Sequence, residues 1–437
     1  MLGSPYKKFA ATAVLKLVSV LAVFLVATAL ARLLGTDGYG TYSYVYVIIS
    51  LLSIATNFGA PRLAMRETAR ALKSGDWPRM RQVWRWSTGL VGCMSAAIIG
   101  LAVLTIWALS DQIGQVYVYT FFAGLALVPL LALGALRGSF LRGLGYVVIG
   151  QLPEFTLRPV LFLILITVAS VLGQTLTPPS AMVLYTVAAA GSFLVGYLLL
   201  RRRIPEGLKN TDHIVGRQPG WLKATFAMGL TSAMVQINTY ADILILGLFQ
   251  PIAEVGIYRI GTQVALLSSL GLQAATIVTA PLFATSLLSE AVTRTQKIAT
   301  LAAAFAFAIA LPSFIIFLVF GNDLLTFAFG VEYVAAYSIT ALLMMGQLVS
   351  SFFGPTPQLH VMSGREKFVA RIMIYATIAN VTLNFVFIPR LGMIGAGLST
   401  VVTMIGWNIA LWWTAWTQIG VKCGPLPPAR IGQIQDR

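Results

Sequence analysis

The amino-acid sequence predicts an all-α integral membrane protein with about 12 transmembrane helices in two pseudo-symmetric six-helix lobes. Three observations point there. Of the 437 residues, 58% are hydrophobic and only 10% are charged, whereas a soluble domain carries roughly 25% charged residues. The apolar residues recur in stretches near the ~20 that one spanning helix requires. The basic residues gather in alternate breaks between those stretches.

The expected spans lie near 10–34, 39–59, 86–109, 114–136, 148–172, 180–200, 223–249, 256–284, 298–320, 333–354, 368–389 and 393–418. The first follows Lys7 and Lys8, as the apolar core of a signal peptide would. It is longer than the ~7–15 residues of such a core and contains Lys16, so it reads as an uncleaved first helix. The stretch 60–85 reads as a loop holding Arg62, Arg66, Arg70, Lys73, Arg79, Arg81 and Arg85. A second, 201–222, holds Arg201, Arg202, Arg203, Lys209 and Arg217. Both fall on the side of Lys7 and Lys8, while only Arg32, Arg259 and Arg390 lie near the opposite breaks. Cytoplasmic loops carry the excess of Lys and Arg, so both termini are expected in the cytoplasm. Trp84, Trp86, Trp221, Trp412, Trp413 and Trp416 cluster at the same interface, a depth that suits amphipathic rings.

The polar stretch 201–222 contains Pro205, Gly207, Gly216, Pro219 and Gly220. It reads as a cytoplasmic linker between an N-terminal lobe, 1–200, and a C-terminal lobe with a short tail, 223–437. A faint repeat agrees: LLGTDGYGTY (33–42) and LILGLFQPIAEVGIY (244–258) each place Leu-Gly before an outer loop and Gly-x-Tyr after it. Two similar bundles flanking a pathway are a common transporter plan.

Composition also excludes. The net charge of +16 would suggest nucleic acid in a soluble chain, but here it sits in membrane loops, so no nucleic-acid partner is expected. Cys93 and Cys423 lack zinc or redox spacing. His213 and His360 both fall in expected loops. No metal, cofactor or catalytic residue is expected. The outer loops are too short to carry the catalytic groups of a membrane glycosyltransferase or polymerase, which favours a transporter over an enzyme.

Charge inside a bilayer is expensive, roughly 2.5–3.5 kcal/mol per residue on insertion scales. Lys16, Arg32, Glu154, Arg158, Asp242 and Arg259 nevertheless fall within or at the ends of spans. Glu154 and Arg158 stand four residues apart, acid first, the favourable order for a helical ion pair. Pro153 and Pro159 bracket them and predict a kink. In the second span Tyr39, Tyr42, Tyr46, Ser50, Ser53 and Asn57 recur every three or four residues, on one helical face. Such a stripe suits a wet cavity; helix packing is the plainer alternative. The seventh span offers Thr231, Asn238 and Asp242, the eighth Tyr258, Thr262, Ser269, Gln273 and Thr276. The candidate transport cavity is therefore Lys16, Tyr42, Tyr46, Asn57, Glu154, Arg158, Asn238, Asp242, Thr262 and Gln273.

At these residues the chain resembles the multidrug/oligosaccharidyl-lipid/polysaccharide (MOP) exporter superfamily, in particular the Wzx-type oligosaccharide flippases. ARLLGTDGYGTYSYV, NFGAPRLAMRE, LRGLGYVVIGQLPEFTLRP, NTYADILILGLF, VGIYRIGTQVA, FGVEYVAA, SGREK and NVTLNFVFIPRLGMIGAGLSTVV are similar to that family's segments in order along nearly the whole chain. The resemblance implies two six-helix lobes, alternating access, and a polyprenyl-diphosphate-linked oligosaccharide moved across a bacterial cytoplasmic (inner) membrane for cell-surface polysaccharide biosynthesis. It leaves room for polysaccharide polymerase machinery as a further partner. The chief rival is a cation-coupled drug exporter of the same fold. It would favour an acidic cavity, whereas four of the six intramembrane charges here are basic.

Overall fold

The computed structural model describes the backbone of residues 5–209, 220–288 and 292–426, and side chains from Val18 onward apart from 227, 230–232, 235 and 288. His213 and the side chains of Lys16 and Thr231 lie outside the described residues. The helices in chain order are α1 (Pro5–Asn57), α2 (Ala60–Ser74), α3 (Trp77–Leu109), α4 (Gln115–Gly124), α5 (Leu127–Gly143), α6 (Val147–Leu152), a π-helical turn (Pro153–Leu157), α7 (Arg158–Val171), α8 (Pro178–Arg201), α9 (Glu206–Lys209), α10 (Trp221–Phe249), α11 (Ile252–Ser268), α12 (Leu270–Leu288), α13 (Val292–Phe329), a 3₁₀ turn (Val331–Ala336), α14 (Tyr337–Phe353), α15 (Thr356–Met362) and α16 (Glu366–Ile419).

Nine segments of the described residues are long and apolar enough to cross a membrane. Two of them, in α1 and α16, are broken by non-helical glycines, Gly35 and Gly392. A 54-residue α16 would run about 80 Å if straight, against a hydrocarbon core of about 30 Å. It instead folds back: Asn380 donates to Thr400, 20 residues on. With these breaks and the 29-residue α10, the twelve expected spans are accounted for. The chain divides into two compact units, Met1–Leu244 and Ile245–Arg437.

The first unit corrects one expectation. The basic stretch 60–85 is not a loop; it is α2 and the start of α3. Leu63, Ala64, Glu67, Thr68 and Ala71 recur at helical spacing and form the buried face of α2. Asp76 caps α3 by accepting from the Arg79 backbone N–H at 3.0 Å. Trp84 stacks on Phe140 of α5, centroids 4.5 Å apart, and its Nε1–H donates to Thr68 at 2.9 Å. Glu67, only 1% exposed, accepts from Arg66 Nε at 3.0 Å, Arg70 Nη1 at 3.1 Å and Arg79 Nη2 at 2.7 Å. The arginines that looked like a solvated charge run are thus partly internal ligands of one carboxylate.

In the second unit His360 is likewise not in a loop. It lies on α15, fully buried, with Nε2 at 2.9 Å from the Leu411 carbonyl, to which it donates. Its Nδ1 has no described partner. Burial lowers its pKa; the Leu411 bond raises it and Arg365 lowers it, and the net direction is down. The folded state therefore resists protonation while the unfolded chain takes up a proton near the ordinary imidazole value. Its stabilisation is complete above about pH 6.5 and diminishes as pH falls below that value. The expected result is a melting temperature in detergent that drops on acidification through this range, and a smaller drop in His360→Asn. Equal drops in both would remove His360 as the sensor.

Residues after α16 return to the same unit. Gln296 clasps Lys422 from both sides of its peptide, donating to the carbonyl at 2.7 Å and accepting from the N–H at 2.8 Å. Val421 and Cys423 are buried against Phe283, Ala299, Leu359 and Ala415. Burial pushes the Cys423 thiol up to about 11, against a lowering hydrogen bond with Thr356.

Candidate functional site

The second half of α1 carries the expected tyrosine stripe. Tyr39, Tyr42 and Tyr46 stack in sequence, with centroids 6.5 and 6.3 Å apart. Their neighbours come from two other helices of the first unit. Tyr42 stacks on Phe162 of α7 at 6.3 Å. Tyr46 meets Tyr185 of α8 edge-on at 5.4 Å and shares a hydrogen bond with it. Phe162 meets Tyr185 at 4.9 Å. Tyr39 and Tyr42 are buried, whereas Tyr46 is only partly so. The upper stripe is thus helix packing, and Tyr46 is its accessible end.

Arg158 stands beside that end. Its guanidinium carbon lies 5.7 Å from the Tyr185 ring centroid, a cation–π distance. Its electrostatic neighbours are Tyr185, Tyr46, Glu154 and Tyr240. Among the described residues, none forms a hydrogen bond or salt bridge to the guanidinium. Its five N–H donors, in a rigid fork beside an aromatic ring, therefore have no described acceptor. That arrangement suits a planar or tetrahedral anion better than a cation.

The expected Glu154–Arg158 pair is not the one formed. Glu154 pairs with Arg137 of α5, and its side chain is 17% exposed against 5% for Arg137. The backbone is irregular here. Pro153 lacks an N–H, and residues 153–157 wind as a π-turn in which the Arg158 N–H donates to the Pro153 carbonyl. A π-turn closes i to i+5; the carboxylate is held across the helix interface by Arg137, which comes from α5. The Ser192 hydroxyl of α8 donates to the same Pro153 carbonyl, as the freed backbone of a membrane helix requires. Arg137 also donates Nη1 to the Phe193 carbonyl at 2.8 Å and lies over the Phe193 ring at 5.5 Å.

Glycines make this junction possible. At Gly138 and Gly150 the helices α5 and α6 cross so closely that an added Cβ on either would meet the other's carbonyl oxygen at 2.6 or 2.7 Å. The Glu154 carboxylate lies over Gly134, where a Cβ would be 3.0 Å from Oε1. A Cβ on Gly196 would fall 1.5 Å from Arg137 Nη1. Small residues four apart commonly allow such approaches in membranes.

The other expected residues are placed as follows. Asn57 ends α1, partly buried, with no described partner for its carbonyl oxygen. Asn238 is exposed on α10, whereas Asp242 on the same helix is 6% exposed. Thr262 donates to the Arg259 carbonyl at 2.7 Å, and Gln273 to Ser269 Oγ at 2.9 Å; both belong to the second unit. The residues missed in the sequence are Arg137, Phe162, Tyr185, Ser192 and Gly196. Gly134 and Gly138 flanking Arg137 were the available sign that it occupies a groove rather than a loop.

The chain is a multi-pass helical one with an aromatic-walled cation inside its first unit, and its fold matches solved structures. A multidrug-resistance MATE-family transporter of the MOP superfamily, in an inward-facing conformation, matches with a TM-score of 0.74 at 16% identity, covering 93% of this chain and 98% of its own. The lipid II flippase MurJ in an inward closed conformation matches at 0.71 and 13% identity, over 94% and 87%. A MOP-superfamily transporter from Pyrococcus furiosus, described for the reverse polarity of its binding pocket, matches at 0.66 and 16% identity, over 96% of each chain. Among curated proteins the chain has no significant match.

The model of the polysaccharide biosynthesis protein family matches residues 6–287, and the chain belongs to that family.

Proposed function

We propose that this protein is a flippase that carries a polyprenyl-diphosphate-linked oligosaccharide across the cytoplasmic membrane by alternating access. It would do so with lobes 1–200 and 223–437 joined by the cytoplasmic linker 201–222. The observation that carries this reading is the Arg158 guanidinium, held against Tyr185 beside Tyr46 and, among the described residues, matched by no contacting carboxylate. A diphosphate headgroup supplies the missing anion through charge-assisted, bidentate hydrogen bonds, and tyrosine faces offer stacking surfaces to sugar rings. Family membership supports the glycan class of the substrate. Alternation of basic loops supports cytoplasmic termini.

The test is Arg158→Gln, read as flipping of the lipid-linked glycan at equal membrane abundance. Hydrogen bonds to charged groups contribute about 1.5–3 kcal/mol, so a loss of roughly ten- to hundredfold is expected. Transport at the wild-type rate would rule Arg158 out as the headgroup ligand. A cation-coupled drug exporter instead predicts that Arg158→Gln leaves the glycan accumulated nowhere and alters drug resistance. For topology, a membrane-impermeant thiol reagent should label Gln174→Cys in intact cells and spare His213→Cys; the reverse would invert the orientation. The buried acid Asp242 is the candidate for an ion-coupled step, and Asp242→Asn is expected to flatten the pH dependence of transport.

A further inference from the structure

Glu154 is the acid nearest to Arg158 in the chain, and in a regular helix residues four apart lie side by side. An ion pair between them would cancel the charge that an anionic ligand needs. One feature prevents it. Arg137 takes the carboxylate, and it is itself fixed by the Phe193 carbonyl and seated where Gly196 has no side chain. Arg158 is left with an electrostatic neighbour in Glu154 and no contact to it. Arg137 is 4% exposed and so cannot itself meet a ligand.

Resting on the reading of Arg158 as the headgroup ligand, we propose that Arg137 is a positioning residue for the anion site: it sequesters Glu154 in the α5–α8 groove and so keeps the Arg158 guanidinium available to a diphosphate. Anion affinity at Arg158 is then set by a residue that never touches the anion. The proposal makes a distinctive demand. Loss of Arg137 frees Glu154 to turn on Arg158, and the harm comes from Glu154, so removing that acid as well must repair it. A merely structural pair would lower protein yield and leave the affinity of the folded fraction unchanged.

The experiment titrates purified full-length protein in detergent with geranyl diphosphate by calorimetry, after size-exclusion selection of the monodisperse fraction. Arg158→Gln is expected to abolish binding; if it binds normally, the reading of the pocket fails and Arg137 has nothing to position. With that arm as expected, Arg137→Gln should weaken binding roughly tenfold, and Arg137→Gln with Glu154→Gln should return to within about twofold of wild type. Glu154→Gln alone should bind at least as tightly as wild type. Unchanged affinity in folded Arg137→Gln, or a folded double variant that stays weak, would overturn the proposal. Should Arg137→Gln not fold, the double variant and Glu154→Gln carry the test, and weaker binding in either would overturn it.

Discussion

Gly196→Ala is expected to leave almost no correctly folded protein. The new methyl carbon would lie 1.5 Å from Arg137 Nη1 and 1.9 Å from its Cζ, far inside any non-bonded contact distance. Arginine side chains usually yield, but this one is held by Glu154, by the Phe193 carbonyl and by the Phe193 ring. Displacing it breaks an ion pair whose two side chains are both largely buried. Breaking a buried pair costs about 3–5 kcal/mol, a large share of the ~5–15 kcal/mol by which a typical domain is stable. Fluorescence-detected size exclusion and a melting curve in detergent would measure the loss. A Gly196→Ala protein that elutes and melts like the wild type would mean that Arg137 has another place to go.

The second large effect is expected at Glu67. Its carboxylate is 1% exposed, and three arginines converge on it, with side-chain exposures of 38, 63 and 34%. Glu67→Gln keeps the shape and removes the only charge that holds them together. Water can take over part of what the arginines lose, so the cost should fall near the low end for a broken charged cluster, about 2–3 kcal/mol. The effect should be local, because the node ties α2 to α3 through Arg79, beside the contacts of Trp84 with Thr68 and Phe140. Trypsin added to inside-out vesicles should then cut within residues 60–75 much faster than in the wild type. Equal cleavage rates would show that apolar packing alone holds α2.

Both effects arise where local sequence reading is weakest. The spans could be read directly, because a bilayer demands long apolar runs and the sequence has nowhere to hide them. The tyrosine stripe could be read because helical periodicity places Tyr39, Tyr42 and Tyr46 on one face regardless of what they meet. The Glu154–Arg158 pair was misread for the same kind of reason. Spacing rules see only one helix, and the arginine that takes Glu154 comes from another. Arg137 stands one residue past the expected span 114–136, where charge ordinarily faces the headgroups. Nothing within five residues of Arg137 announces that Glu154, 17 positions later, and Gly196, 59 positions later, complete its socket.

The sequence by itself determined that this is a helical membrane protein of twelve spans, which residues are charged within them, and which face of the second span is aromatic. Those properties depend on composition and on a period of 3.6 residues, and both are local. The tertiary structure alone decided which charges neutralise each other, that 60–74 is a docked amphipathic helix, and that Arg158 has no ion-pair partner among the described residues. Partner choice among buried charges depends on distances between helices far apart in the chain. Those distances are set by how closely backbones approach at glycines such as Gly138, Gly150 and Gly196.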